Sequence, residues 1–227
     1  MSRPMKAEEV ETFEKKFDYK PSEVKVAIDV LAVIAHKNNT IKGLSMKQMD
    51  SIFSANRKQG GNEISAWDQT GLDAWKGRAI SLYGHNSASI TYGFFQEYAL
   101  GKDSFKSTVM EQMRSSAVLQ RVGGDMNGLG YAGIGYKNPS IRALPLAKDD
   151  GGKFFEAKYA NALSGDYPLA HTLFLYVNKK PGESLDKLTL EFLRFVLSKE
   201  GQQVVEKGGY YPMPEDYAAE ILTSLSK

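Results

Sequence analysis

Apolar and polar positions follow two different periods along the chain. The run of Val, Ile and Ala over 24–36 is long and β-branched, which favours a buried strand. Segment 45–53 places apolar residues at 46, 49, 52 and 53, a helical spacing, with Ser45 positioned as its N-cap. The spacing of apolar residues also predicts helices over 8–17, 89–100 and 185–207. It predicts strands over 80–83, 131–136, 141–146 and 173–177, and it fits either a helix or a strand over 117–122. Strands that alternate with helices indicate an α/β protein with a largely parallel sheet.

Composition excludes several classes of protein. The 227 residues are 42% hydrophobic and 25% charged, which is typical of a folded globular chain. There is no cysteine, so disulfides, thiolate metal sites and cysteine nucleophiles are excluded. A net charge of +2 provides no strong field for nucleic acid, and we expect no nucleic-acid partner.

The chain carries no recognisable membrane or export signal. Its longest apolar run, 30–35, is far shorter than the roughly 20 residues of a spanning helix. The first ten residues contain no apolar core of a signal peptide. If the native protein is exported, we expect that the signal was removed or lies outside this chain.

One glycine pattern resembles a dinucleotide fingerprint. Gly128, Gly130 and Gly133 have the G-x-G-x-x-G spacing, but that motif must follow a strand and open a helix. Here it runs into a segment with strand or turn character. A glycine-rich turn before a buried strand is therefore the favoured interpretation, and no cofactor is predicted.

The three histidines and the acidic residues give no clear catalytic pattern. His36, His85 and His171 are not at helical ligand spacing, so a metal or catalytic trio is not favoured. His36 and His171 each adjoin a strand-like segment, which favours hydrogen-bonded polar residues at strand ends. Asp149 and Asp150 stand beside two glycines, which favours a solvated turn over a carboxylate pair. No nucleophile–base pair is evident, and we expect that the protein is not an enzyme.

Segment 83–95 holds the candidate binding residues. A turn rich in Gly, Asn and Ser leads directly into a helix, and hydroxyl groups at Ser87, Ser89 and Thr91 cluster where it begins. The N-terminus of a helix has free N–H groups and partial positive charge, which together can hold an anion. His85 could add a donor, and positive charge at lower pH. The alternative is ordinary N-capping by a Ser or Thr hydroxyl.

Several segments in order along the chain resemble the substrate-binding proteins of phosphate ABC transporters, within the type II periplasmic-binding-protein group. The family patterns that they match are an SRP segment, a crossover strand, an L-S-x-x-Q-L-x-x-I-F…W stretch, an I-G-Y strand, a Y-P-L hinge strand and a C-terminal F-x-L-S-x-E-G-Q…G-Y-x-P signature. The matching segments are 2–9, 27–39, 44–53 with Trp67, 134–136, 167–176, and 195–205 with 209–212.

The resemblance implies an α/β fold of two lobes joined by two crossover strands, with the ligand between the lobes. The first lobe would comprise 1–37 and 169–227, and the second would comprise 38–168. Members of the family have a further N-terminal segment, so we expect the first lobe to be incomplete and the chain to be N-terminally truncated.

The resemblance also assigns site residues. The family's R-x-x-x-S-G-T motif falls on His85, Ser89, Ile90 and Thr91 of this chain. His85 then replaces an arginine and Ile90 a glycine, which removes a fixed charge and adds a β-branched side chain beside the backbone N–H groups. Ser2 matches a further ligand-contacting position, although we expect the chain start there to be frayed.

Two functions follow as hypotheses. The first is a periplasmic or cell-envelope protein that binds phosphate or a related oxyanion and supplies the permease of an ABC transporter. The second is a degenerate binding-protein fold that acts as a protein-interaction module with little or no anion binding. An incomplete first lobe would leave a strand edge that a second copy of the chain could cover in a homo-oligomer.

Overall fold

The protein, described here by a computed structural model over residues 1–136 and 138–225, has a mixed α/β architecture. The helices are α1 Ala7–Phe17, α2 Met46–Phe53, α3 Ile90–Ala99, α4 Ser115–Gly124, α5 Tyr159–Leu163, α6 Lys187–Leu197, α7 Lys199–Lys207 and α8 Glu215–Leu225. The strands are β1 Ser22–His36, β2 Leu44–Ser45, β3 Ser81–His85, β4 Met110–Gln112, β5 Gly128–Gly133, β6 Ile141–Ala143, β7 Leu146–Ala147 and β8 Ala170–Val177.

The chain folds into two compact units. The terminal unit comprises Met1–Asp29 and His171–Lys227, and the central unit comprises Val30–Ala170. The chain therefore passes between units twice, once within β1 and once within β8. The predicted lobe assignment, 1–37 with 169–227 and 38–168, stays a prediction.

The sheet of the central unit is mixed, so the expected largely parallel sheet is wrong. β3 lies parallel to both β4 and β5, whereas the part of β1 over 31–36 runs antiparallel to β5 and β6. Hydrophobic alternation reports which residues are buried but not the direction of a neighbouring strand. The predicted strand over 141–146 is also two separate strands, because β6 pairs with β1 and β7 with β2.

The glycine pattern forms a strand and neither a turn nor a nucleotide loop. Gly128, Gly130 and Gly133 all lie within β5. A Cβ atom on Gly130 would come within 2.8 Å of the Tyr83 carbonyl oxygen and 2.9 Å of Val118 Cγ1. Glycine is needed there because β3 and α4 approach the strand closely. The motif opens no helix, as a dinucleotide fingerprint must.

Aromatic side chains fill the core of the central unit beneath α3. The rings of Phe95 and Tyr131 stack at a centroid distance of 3.9 Å, and Phe53 meets Phe95 edge-on at 5.1 Å. All three side chains are fully buried. Such rings bury a large apolar area each, so they fix α3 against the sheet.

The terminal unit packs helices against a strand pair. β8 pairs with β1, and an apolar cluster joins these strands to α6 and α8. The buried members of that cluster are Val24, Leu193, Leu197, Ala218 and Leu225. The opposite side of α6 is not buried in the same way, since Leu188, Phe192 and Phe195 are 81%, 53% and 56% exposed.

A single helix over 185–207 is wrong, because the chain breaks at Ser198. Ser198 has extended backbone angles and caps α7, its hydroxyl oxygen accepting the Gly201 N–H at 3.1 Å. A Cβ on Gly201 would lie 2.0 Å from the Phe195 carbonyl oxygen, so only glycine fits where α7 turns against the end of α6. The Ser-x-x-Gly sequence carries this signal, although the continuous amphipathic pattern conceals it.

The described residues lack two further classes of feature. None of their helices is both long and apolar enough to cross a membrane. Their His, Asp and Glu side chains form no group of three or more that could hold a metal ion.

Candidate functional site

The candidate site begins where β3 ends and α3 starts. β3 closes at His85, the chain turns through 86–89, and α3 begins at Ile90. The turn is tied down at both sides, because the Asn86 N–H donates to the Gln112 carbonyl at 3.1 Å and the Ser89 N–H to the Asn86 carbonyl at 3.0 Å. The position of the helix start is therefore set by the sheet.

Ser89 caps α3, as the capping interpretation predicts. Its hydroxyl oxygen accepts the Thr91 N–H at 3.1 Å, which satisfies one of the otherwise unpaired N–H groups of the first turn. The first turn of α3 contains no acidic residue. The helix dipole at this end is therefore not offset by a carboxylate of the same turn.

The N-terminal end of α3 is accessible to solvent. Ser87 is exposed, Ser89 and Thr91 are half-buried, and the Ile90 side chain is 82% exposed. The three hydroxyl groups thus gather at an accessible surface. Ile90 extends from the same turn, at the position where the family pattern has glycine.

His85 lies beneath the turn and not on its surface. Only 3% of the residue is exposed, and burial lowers the pKa of its imidazole below the ordinary value of 6.5. The expected gain of positive charge therefore needs a more acidic solution than a free histidine does, and His85 is neutral at neutral pH. As a replacement for an arginine it offers a neutral hydrogen-bonding group and no fixed charge.

Both ring nitrogens of His85 face serine hydroxyls. Ser89 Oγ lies 3.4 Å from Nδ1, and Ser115 Oγ lies 3.3 Å from Nε2. Ser115 is the first residue of α4, so the imidazole links the starts of two helices. Ser115 could not be predicted from the sequence, because it is 30 residues from His85 and nothing local marks the contact.

This arrangement differs from a catalytic triad. A triad needs an acid that orients the imidazole from the side opposite the nucleophile. In the described part of the chain, both nitrogens of the His85 ring are instead occupied by serines, and no carboxylate contacts them. Ser115 is also 8% exposed, which leaves no approach for a substrate.

Tyr131 supports His85 from the core. Its hydroxyl oxygen accepts the His85 backbone N–H at 3.3 Å, and the two rings lie 5.7 Å apart. Burial raises the pKa of the Tyr131 phenol, so the hydroxyl stays protonated. His85 is thus fixed through both its backbone and its ring.

Ser2 lies in the terminal unit, in a segment that is anchored and not frayed. The Phe174 N–H of β8 donates to the Met1 carbonyl at 2.8 Å, and the Met1 amino group donates back to the Phe174 carbonyl. Arg3 forms a two-pronged ion pair with Glu9, both contacts at 2.7 Å, which lowers the pKa of Glu9 to about 2. Ser2 itself is exposed.

The other two histidines lie at or near the ends of strands, as predicted. His36 is the last residue of β1, where its Nδ1 accepts the Asn38 N–H at 3.2 Å. His171 is the second residue of β8, with Nε2 3.7 Å from Asp29 Oδ2. Burial outweighs that carboxylate and lowers the pKa of His171 to about 4.

Comparison with known proteins covers nearly the whole chain. Residues 1–200 match the family model described as the PBP superfamily domain. The phosphate-binding protein PstS of Pseudomonas aeruginosa is 48% identical over 227 residues, which is 99% of this chain and 70% of that protein.

Solved structures agree with this relationship. A candidate phosphate-binding protein from Planctomyces limnophilus has a TM-score of 0.78 at 26% identity, covering 100% of this chain and 80% of its own. A candidate phosphate ABC transporter substrate-binding protein from Clostridium perfringens, with bound phosphate, has a TM-score of 0.61 at 28% identity, covering 94% and 77%. This chain belongs to the PBP superfamily and, within it, to the substrate-binding proteins of phosphate ABC transporters.

Proposed function

We propose that this protein binds phosphate or a related oxyanion at the N-terminus of α3 and supplies it to the permease of an ABC transporter. The relative from Pseudomonas aeruginosa is named a phosphate-binding protein, and the Clostridium perfringens structure holds phosphate. The proposal includes a periplasmic or cell-envelope location, which follows from the family. It includes no turnover, because the relatives are named for binding.

The observation that carries the proposal is the start of α3. The hydroxyls of Ser87, Ser89 and Thr91 lie at the accessible start of the helix and in the turn before it, and no acidic residue of the first helical turn competes with an anion. The strand end behind it is rigid, since His85 is fixed by Tyr131 and by two serines. A preformed set of donors loses little conformational entropy when it binds.

The same residues predict that binding is weaker than in members with the full motif. His85 is neutral where the family has a charged arginine, and Ile90 occupies the approach to the backbone N–H groups. Each charged hydrogen bond is worth about 1.5–3 kcal/mol. Loss of two would weaken binding by about 10²- to 10⁴-fold.

Ser2, a residue of the terminal unit, is proposed separately as a ligand-contacting residue. Its hydroxyl is exposed, and the neighbouring backbone is held by β8. Ser2→Ala removes the hydroxyl without touching that backbone pairing. We expect weaker phosphate binding by this variant with an unchanged melting temperature.

Isothermal titration calorimetry with phosphate tests the proposal directly. We expect saturable heat from one site at or below about millimolar phosphate, given the weakening estimated above. Sulfate, titrated in parallel, measures the preference among tetrahedral anions. No heat at millimolar phosphate would remove the proposal for this chain.

A second candidate function rests on the exposed side of α6. Leu188, Phe192 and Phe195 recur at i, i+4 and i+7 and therefore form one apolar stripe on the helix surface. A contiguous exposed apolar stripe is typical of a protein interface. In this alternative the fold is a protein-interaction module that binds little or no anion, with a second copy of the chain as one partner.

Light scattering on a gel-filtered sample separates the two functions. Self-association that Phe192→Ser abolishes, together with silent phosphate calorimetry, would favour the interaction module. A monomer that gives phosphate heat would favour the binding protein. Thr12→Ala, a change on an exposed position of α1, serves as the matched surface control.

A further inference from the structure

We propose that Ser115 and His85 are positioning residues that direct the Ser89 hydroxyl hydrogen outward, toward a bound anion. The inference rests on the proposed function, because it names how that site is oriented. It concerns a hydrogen-bond chain of three groups, Ser115 Oγ, the His85 ring and Ser89 Oγ, joined by contacts of 3.3 and 3.4 Å.

The Ser115 hydroxyl has a single acceptor for its hydrogen among the described residues. Ser115 is 8% exposed, so its hydroxyl hydrogen needs a partner within the protein. In the described part of the chain, its hydroxyl has one hydrogen-bond neighbour, Nε2 of His85. A buried hydroxyl that donates to nothing costs about 1–3 kcal/mol. Ser115 therefore donates to Nε2.

The second step follows from the chemistry of a neutral imidazole. Burial keeps His85 neutral at neutral pH, and a neutral ring carries one N–H and one acceptor nitrogen. Since Nε2 accepts from Ser115, the hydrogen is on Nδ1. Nδ1 then donates to Ser89 Oγ.

The third step concerns Ser89. A hydroxyl oxygen has two acceptor lone pairs and one hydrogen. Here the two acceptor positions take the Thr91 N–H and the His85 Nδ1–H. The hydrogen of Ser89 is left to point away from both, and Ser89 is half-exposed on the side of the open turn. An anion beside Ser89 can therefore accept a hydrogen bond from this hydroxyl and does not face one of its lone pairs.

The opposite tautomer would give the opposite result. With the hydrogen on Nε2, Nδ1 would accept the Ser89 hydroxyl hydrogen, and Ser89 would present a lone pair to an anion. Ser115 thus decides whether Ser89 attracts or repels the ligand. Its own side chain need not touch the ligand.

NMR of ¹⁵N-histidine-labelled protein before phosphate is added reads the tautomer, with the His85 signals assigned by their absence in His85→Gln. We expect a protonated Nδ1 and an unprotonated Nε2 in the wild type. In Ser115→Ala we expect a shift toward protonated Nε2. Protonated Nε2 in the wild type would overturn the inference.

Phosphate calorimetry on the same variants gives the functional result. We expect Ser115→Ala to bind about tenfold more weakly, the value of one hydrogen bond, and Ser115→Thr, which keeps the hydroxyl, to bind as the wild type. Unchanged affinity in Ser115→Ala would overturn the inference. Ser45→Ala removes the buried serine that caps α2 and should leave both the tautomer and the affinity unchanged.

The two readouts separate this inference from the proposed function. Protonated Nδ1 without any phosphate heat in the wild type overturns the proposed function and leaves the hydrogen-bond chain in place. If the added methyl group prevents Ser115→Thr from folding, the wild-type tautomer and the Ser115→Ala titration still decide.

Discussion

Two helices of the central unit begin with the same capping residue but present it differently. At α2, Ser45 is 2% exposed and forms a reciprocal capping box with Gln48, with contacts of 3.1 and 2.9 Å. The Ser45 hydroxyl also donates to the Asp150 carboxylate. This helix start is thus closed by an anionic group of the protein itself.

At α3 the capping serine has other neighbours. Ser89 contacts the neutral ring of His85 and the Thr91 N–H, no carboxylate among the described residues hydrogen-bonds to it, and Ile90 is exposed. The difference shows that Ser at an N-cap does not by itself predict a ligand site. The starts of α2 and α3 differ in whether a carboxylate of the protein contacts the capping serine.

The largest expected effect is on phosphate binding when the hydroxyls of Ser89 and Thr91 are removed from the start of α3. Ser89→Ala with Thr91→Val deletes two donors to an anion, each worth about 1.5–3 kcal/mol, and should weaken binding by about 10²- to 10⁴-fold. Calorimetry measures it. Ser45→Ala at α2 is the matched control, and an equal loss there would erase the distinction between the two helix starts.

Removing the Ile90 side chain from the start of α3 should have a smaller effect on phosphate affinity, and of opposite sign. Ile90→Gly removes the exposed β-branched side chain and restores the family residue, so we expect phosphate to bind about tenfold more tightly, or about 1.4 kcal/mol. The variant should lose up to about 1 kcal/mol of stability, because glycine is a weak helix former. Ile90→Val keeps the obstruction and should bind as the wild type. Weaker binding by Ile90→Gly would show that the side chain does not obstruct the site.

Removing either group that closes the start of α2 should lower the stability of the protein. Ser45→Ala should lower the free energy of unfolding by about 1 kcal/mol, and by up to about 2 since the cap is buried and reciprocal. Asp150→Asn should lower it less, because this carboxylate is more than half exposed. Urea unfolding measures both. A larger loss from Asp150→Asn than from Ser45→Ala would contradict the account of α2.

The smallest expected effect is on the pH dependence of the free energy of unfolding. Burial lowers the pKa of His85 in the folded state, so the folded protein binds fewer protons than the unfolded chain below about pH 6.5. The contribution of neutral His85 is therefore present above that pH and is lost as the pH falls. His85→Gln should show a shallower loss of unfolding free energy below pH 6.5. Parallel pH profiles for the two proteins would contradict this.

Local signals predicted much of this structure. The cap of α2 at Ser45, the long strand β1 and the start of α3 are each encoded within a few residues, by hydroxyls at helix starts or by continuous β-branched runs. The family resemblance, which the comparison with known proteins confirms, came from short segments of the same kind.

The missed features depend on distant contacts. The antiparallel neighbours of β1 and the close approach at Gly130 are set by pairing and packing that no local window contains. Burial of His85 beneath Ser89 and its contact with Ser115 are likewise tertiary. The site residues remain predictions because their role depends on a ligand and not on the fold alone.

The most direct measurement is a phosphate titration followed by the backbone amide signals of the ¹⁵N-labelled protein. The account predicts saturable shifts for the amides of 89–92 at the start of α3, with the amides of 46–48 at the start of α2 unmoved. Shifts that are absent at α3, or equal at the two helix starts, would contradict it.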